Sequence, residues 1–123
     1  MWIYYDSKTG NVERFMEKLR GLRDWNLKKI GPDLQVNHPG HLVTFTTRIG
    51  EVPETTSQFL NAHAKSIRTV SSSGNRNWGQ NFARAADLVS LKYQIPVSLK
   101  FELSGTKRDV NNFIELLEQL HDC

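Results

Sequence analysis

Three stretches of this chain hold the kinds of residue that bind phosphate groups and flat rings. The first is Ser7-Lys8-Thr9-Gly10-Asn11-Val12. Its hydroxyls can donate to phosphate oxygens, Gly10 lets the backbone approach a ligand, and the N–H groups that follow open a helix. Lys8 adds positive charge, although a loop lysine also sits comfortably in water. The second is Thr46-Thr47-Arg48-Ile49-Gly50, whose backbone groups could reach the polar edge of a bound ring. The third is Ser71-Ser72-Ser73-Gly74-Asn75-Arg76-Asn77-Trp78-Gly79, with Phe82 just beyond. Trp78 offers a flat apolar face, Asn75 offers donors and acceptors, and Gly74 and Gly79 allow close approach. Each stretch taken alone also suits a capped helix start or a strand-to-helix turn.

The chain excludes several other chemistries. The Gly-x4-Gly-Lys-Ser/Thr spacing of a Walker loop is absent, and so is Gly-x-Gly-x-x-Gly. His38, His41, His63 and His121 are scattered, with no ligand partner at metal-binding spacing. The serines form no nucleophile–base set and read as loop donors. With 38% hydrophobic and 24% charged residues over 123 positions, the composition is that of one globular domain, 1–123. No apolar run approaches the roughly 20 residues of a membrane span. The start does not read as a signal peptide, and Cys123 has no cysteine to pair with inside the chain, so the expected compartment is the cytoplasm. A net charge of +3 spread over scattered basic residues suits a solvated surface better than a nucleic-acid site.

The elements that must position the three stretches alternate. Trp2 to Tyr5 reads as a strand, and Val12, Phe15, Met16, Leu19 and Leu22 recur at helical spacing. Trp25 to Ile30 reads as a second strand. Turn signals at Gly31-Pro32-Asp33 and Asn37-His38-Pro39-Gly40 leave little room for a helix before the third strand, His41 to Thr47. A helix over Glu54 to Ala64 follows, entered through Pro53. The fourth strand is Ile67 to Ser71. A helical run begins near Gly79 and carries Phe82, Ala85, Ala86, Val89 and Tyr93. Pro96 to Leu103 is the fifth strand. Thr106 with Asp109 caps a last helix bearing Val110, Phe113, Ile114, Leu117 and Leu120.

Such alternation predicts a doubly wound α/β fold: a five-stranded parallel sheet of order 2-1-3-4-5 without a helix between strands two and three. Ligands of these sheets bind at the carboxyl ends of the strands, where the order reverses. That rule sets the three stretches side by side. A phosphate loop beside two loops carrying glycine and a tryptophan suits flavin mononucleotide (FMN) best, with Trp78 as a stacking candidate.

Asp6-Ser7-x-Thr9-Gly10-Asn11-Val12, Gly50-x-Val52-Pro53, Ser73-Gly74-Asn75-Arg76-Asn77-Trp78-Gly79 and Phe101-Glu102-Leu103-x-Gly105-Thr106 together resemble the NrdI family. These are small flavodoxin-like activators of class Ib ribonucleotide reductase. The resemblance covers nearly the whole chain. It implies non-covalent FMN, an electron donor that reduces it, and the radical-bearing small subunit of the reductase as partner. The reduced flavin would react with oxygen and deliver superoxide or a related oxidant to a dimanganese centre held by that partner, where a tyrosyl radical forms. Such a protein is a redox accessory rather than a stand-alone enzyme. A general one-electron carrier for other reductases is the competing reading; flavodoxins of that kind are longer and strongly acidic.

One position departs from the family pattern. Similar members often carry glycine where Arg48 stands. A non-glycine residue resists positive φ, so a redox-linked peptide flip would be harder here, and a cation near the ring would favour an anionic reduced flavin. Alternatively, Arg48 points to solvent and the loop keeps one shape.

Overall fold

Aromatic and β-branched residues at Trp2–Tyr5 form β1, and the sheet is built outward from it. The computed structural model describes residues 1–48 and 50–121; Ile49 and Cys123 lie outside them. The other strands are β2 (Asn26–Lys29), β3 (Gly40–Phe45), β4 (Ile67–Gly74) and β5 (Val97–Glu102). All pairings are parallel and the order is β2-β1-β3-β4-β5, as the alternation of elements predicts. The helices are α1 (Asn11–Arg20), α2 (Glu54–His63), α3 (Arg84–Tyr93) and α4 (Lys107–His121).

Strand pleating sends alternate residues to opposite faces, and both faces are covered. Ile3, Tyr5, Val43 and Phe101 meet α1 and α4 through Phe15, Leu19, Phe113 and Leu117. Phe15 stacks on Phe101 with ring centroids 4.2 Å apart and meets Phe113 edge-on at 5.4 Å. On the other face, Tyr4, Leu42 and Val70 pack with Phe59 and Leu60 of α2 and Ala86 and Val89 of α3.

No helix joins β2 to β3. Instead Ile30, Leu34 and Val36 of the irregular connection pack against the α2/α3 cluster. The connection is pinned at its far end. The Tyr4 hydroxyl donates to the His38 carbonyl at 2.7 Å, and the Trp2 ring stacks on His38 at 4.3 Å. Burial pushes the Tyr4 phenol pKa up, against the opposing pull of that hydrogen bond.

Several features differ from the sequence expectation, among them the end of β3 at Phe45 rather than Thr47. The first helix stops at Arg20, where the Gly21 N–H turns back to the Glu17 carbonyl and the Leu22 N–H to the Leu19 carbonyl, so Leu22 lies outside the apolar stripe and is 46% exposed. The fourth strand runs on through Ser72 and Ser73 to Gly74, because every one of these polar residues pairs with β3 or β5. The run expected to start a helix near Gly79 is a 3-10 segment, Arg76–Asn81, broken at Gly79 (φ 56°, ψ −120°). The α-helix begins only after Ala83, which itself adopts φ 48°. At the C-terminal end of α4, Leu120 is 55% exposed, since the apolar stripe ends at Leu117. The Thr106–Asp109 cap forms as expected, each backbone N–H bonding the other's side chain at 2.8 and 3.1 Å. No helix among the described residues is long and apolar enough to cross a membrane.

Candidate functional site

β1 and β3 end side by side, and their following loops open a cleft of about 910 Å³. Asp6, Ser7 and Lys8 line it from β1; Phe45, Thr47 and Arg48 line it from β3; Pro53, Thr55 and Ser57 close it from α2. A volume of this size holds a ligand of cofactor dimensions.

The cleft floor is fixed by a buried carboxylate. Asp6 Oδ2 accepts from Thr56 Oγ1 at 2.7 Å and from the Thr55 hydroxyl, and Thr56 shares a further 2.7 Å bond with Thr44. Pro53, the cap residue of α2, contributes no side-chain hydrogen bond. The Asp6 carboxylate therefore lies against the positive end of α2 and locks it to β1.

The start of α1 follows Ser7 and Lys8 along the chain, its own residues lying outside the cleft lining. Gly10 takes φ 92°, a conformation that glycine adopts without steric cost. Ser7 Oγ accepts from the Glu13 N–H at 3.3 Å, and the Arg14 N–H bonds Gly10 O at 2.9 Å. The N–H groups of Asn11 and Val12 are among those that an α-helix leaves without a partner at its start, at the positive end of its dipole. The Arg14 guanidinium lies across Gly10, where an added Cβ would come within 2.9 Å of Nη1. In the core beneath α1, burial and the Glu13 carboxylate raise the Tyr5 phenol pKa, while Arg20 opposes them.

The second loop is closed. Thr47 and Glu51 exchange two backbone hydrogen bonds of 2.9 Å. Arg48 holds φ 51°, and its side chain is 79% exposed, with Nη1 3.6 Å from Glu51 Oε2. Of the two possibilities for Arg48, this is the solvent-facing one. Thr46, expected at the ligand, is buried; its hydroxyl accepts from the Ala85 N–H at 3.2 Å. An added Cβ on Gly50 would sit 3.0 Å from Asn81 Oδ1, so this loop abuts the third.

In the third stretch the serines are not loop donors but strand residues with internal partners. Ser71 Oγ accepts from the Leu99 N–H, Ser72 Oγ donates to Ala83 O and accepts from the Ala86 N–H, and Ser73 Oγ donates to Leu103 O. Gly74 is needed for packing: a Cβ there would stand 2.3 Å from Ala83 N. Asn75 Oδ1 accepts from the Asn77 N–H, which shapes the turn that carries Trp78. Trp78 is half-buried and lies outside the cleft lining, as do Asn75 and Gly79. Phe82 lies beneath the Arg76 guanidinium, 4.6 Å from ring centroid to carbon.

Thus the structure gathers Ser7, Lys8, Thr47 and Arg48 in one cleft. Thr9 and Gly10 lie outside its lining, Asn11 borders a separate groove with Arg14 and Ser104, and Val12 is buried in the core. It turns Thr46, Ser73 and Gly74 inward. Sequence reasoning did not anticipate Phe45 and Thr55 in the cleft lining. Phe45 had a usable signal, as an aromatic residue at the carboxyl end of a central strand. Thr55 had none short of knowing that Asp6 would be buried against it.

A family model described as "NrdI Flavodoxin like" matches residues 3–115. The chain belongs to the NrdI flavodoxin-like family. It is 45% identical over 118 residues to Protein NrdI of Bacillus licheniformis, covering 96% of this chain and 88% of that one. It is 42% identical over 122 residues to Protein NrdI of Macrococcus caseolyticus, covering 99% and 92%. Among solved structures, a short-chain flavodoxin associated with a non-canonical PDU bacterial microcompartment superposes with TM-score 0.70 at 18% identity, covering 98% and 95% of the two chains. A flavodoxin of Streptococcus pneumonia TIGR4 gives 0.69 at 22%, covering 98% and 97%. The family and the fold together imply FMN as cofactor and a role with ribonucleotide reductase. The residues present fit that group. An open cleft at the strand ends carries Ser7 and Lys8, and the helix that follows them in the chain starts with Arg14 across Gly10.

Proposed function

We propose that this NrdI chain binds FMN between the α1 start and the Thr47–Glu51 loop, and that it supplies oxidant to the small subunit of a class Ib ribonucleotide reductase in the cytoplasm. Ser7, Lys8, Thr9, Gly10, Asn11 and Val12 would hold the phosphate. Backbone groups of Thr47, Arg48 and Gly50 would face the ring edge. Asn75, Trp78 and Gly79 would border the ring from the neighbouring loop. When held there and reduced by an electron donor, FMN would supply the electrons that convert dioxygen to superoxide or a related species. The chain's own residues would orient the flavin, with the open mouth of the cleft left for the partner. That partner would use the oxidant to assemble its dimanganese–tyrosyl radical cofactor.

The observation that carries this reading is the family match over residues 3–115, on a fold whose strand ends open into the cleft. The test is manganese-dependent activation of a class Ib small subunit, with oxygen, with and without this chain. Radical yield that requires both the chain and oxygen supports the proposal. Equal yield without the chain, together with ready electron transfer to unrelated acceptors, replaces it with the general-carrier reading.

A further inference from the structure

The run Phe101-Glu102-Leu103-Ser104-Gly105-Thr106 spans the end of β5 and the turn after it and takes no part in lining the cleft; with Asn11 and Arg14 it borders a separate groove. It nevertheless touches both neighbouring loops. Arg14 Nε donates to Ser104 Oγ at 2.9 Å, Ser104 Oγ donates to Asn11 Oδ1 at 3.0 Å, and Arg14 Nη2 donates to the same Oδ1 at 2.7 Å. Lys18 Nζ donates to the carbonyls of Gly105 and Ser104 at 2.7 and 3.2 Å. Gly105, at φ 72°, allows this approach, since a Cβ there would lie 2.8 Å from the Phe15 ring. On the other side the Leu103 N–H bonds Gly74 O at 2.9 Å.

We infer that Ser104 is a positioning residue for the phosphate end of the FMN site, acting through Arg14 and Asn11. Arginine has donors only, so the Asn11 atom that it meets must be the carbonyl oxygen. The amide is thereby oriented, and its NH2 group remains a donor at the first turn of α1. Two arms of the Arg14 fork, Nε and Nη2, are held by Ser104 and Asn11, which leaves Nη1 over Gly10. The clasp sets a cation and an amide donor at the positive end of a helix before any ligand arrives. Without the Ser104 hydroxyl the exposed Arg14 side chain keeps one anchor and must be ordered on binding, which weakens affinity. The loss concerns the phosphate alone, because the clasp touches nothing on the ring side of the cleft.

The inference rests on the FMN reading, and one experiment separates the two. The apoprotein and its Ser104→Ala and Ser104→Thr variants are titrated with FMN and with riboflavin, which lacks the phosphate, by flavin fluorescence. Ser104→Ala should weaken FMN about fivefold, the effect of one hydrogen bond, and leave riboflavin affinity unchanged. Ser104→Thr, which keeps the hydroxyl, should restore FMN affinity. Equal losses for both flavins, or no loss of FMN affinity in the alanine variant, would overturn the positioning role. A wild-type chain that binds neither flavin would overturn the FMN reading, and the inference with it.

Discussion

Two regions of this molecule have nearly the same residue types and opposite uses. Ser71-Ser72-Ser73-Gly74 and Ser7-Lys8-Thr9-Gly10 are both small, polar runs at or after the carboxyl end of a strand. In the first, each serine hydroxyl is bonded within the fold and Gly74 is filled against by Ala83. In the second, Lys8 and Thr9 are exposed, Gly10 turns the chain at positive φ, and the helix start beyond it is left open. Composition therefore does not tell a lock from a binding loop. Hydrogen-bond accounting does: polar groups that already have partners hold the scaffold, and those without them are free for a ligand.

The sharpest way to break this contrast is Gly74→Ala. Its methyl would meet backbone atoms, Ala83 N at 2.3 Å and Cα at 2.7 Å, and backbone cannot step aside as a side-chain tip can. The expected loss of stability is about 3 kcal/mol, the upper range for overpacking, read as a lower urea midpoint with unchanged slope. A variant of native stability that had lost only FMN would make Gly74 a ligand residue and end the contrast. Ser72→Ala comes next. It leaves Ala83 O and the Ala86 N–H buried without their partner, at a cost of about 2 kcal/mol by the same measurement. FMN affinity of the folded fraction should stay near wild type.

Much of the fold was legible because its signals are local. Strand order followed from alternating elements, and the missing helix followed from two turn signals with too few residues between them. The start of α4 could be read from Thr106 and Asp109 alone. The serine run was misread because polarity at a strand end is ambiguous until partners 10 to 30 residues away are known: Ala83 for Ser72, Leu99 for Ser71 and Leu103 for Ser73. Asp6 was hidden for the same reason. Its burial depends on Thr55 and Thr56, which no local pattern ties to it. Topology sets the candidate loops at the strand ends, yet the cleft lining takes Ser7 and Lys8 of the first, Thr47 and Arg48 of the second and no residue of the third.

On the open side, Lys8→Ala should leave stability within about 0.5 kcal/mol, as for exposed sites without a structural role. It should weaken FMN about fivefold through loss of one charge-assisted contact, with a smaller effect in high salt. Flavin titration at two salt concentrations checks this. Unchanged affinity would remove Lys8 from the phosphate side and leave the α1 start and Arg14 to hold it.

The smallest expected effect belongs to Arg48→Gly, where the contrast runs through a single residue. Arg48 holds φ 51° and so bears a backbone cost of about 1 kcal/mol that glycine would not. Glycine would instead give the unfolded chain more freedom, worth about 0.5–1 kcal/mol in the other direction. The exposed contact with Glu51 at 3.6 Å adds little. Net stability should therefore change by less than about 0.5 kcal/mol. What should change is the flavin. Removing a cation from the loop beside the ring disfavours an anionic reduced form, so the potential of bound FMN should fall, and more at low salt than at high. Redox titration of the wild type and variant at two salt concentrations decides the point. Identical potentials would mean that Arg48, like the serines of β4, serves the shape of the chain and not its ligand.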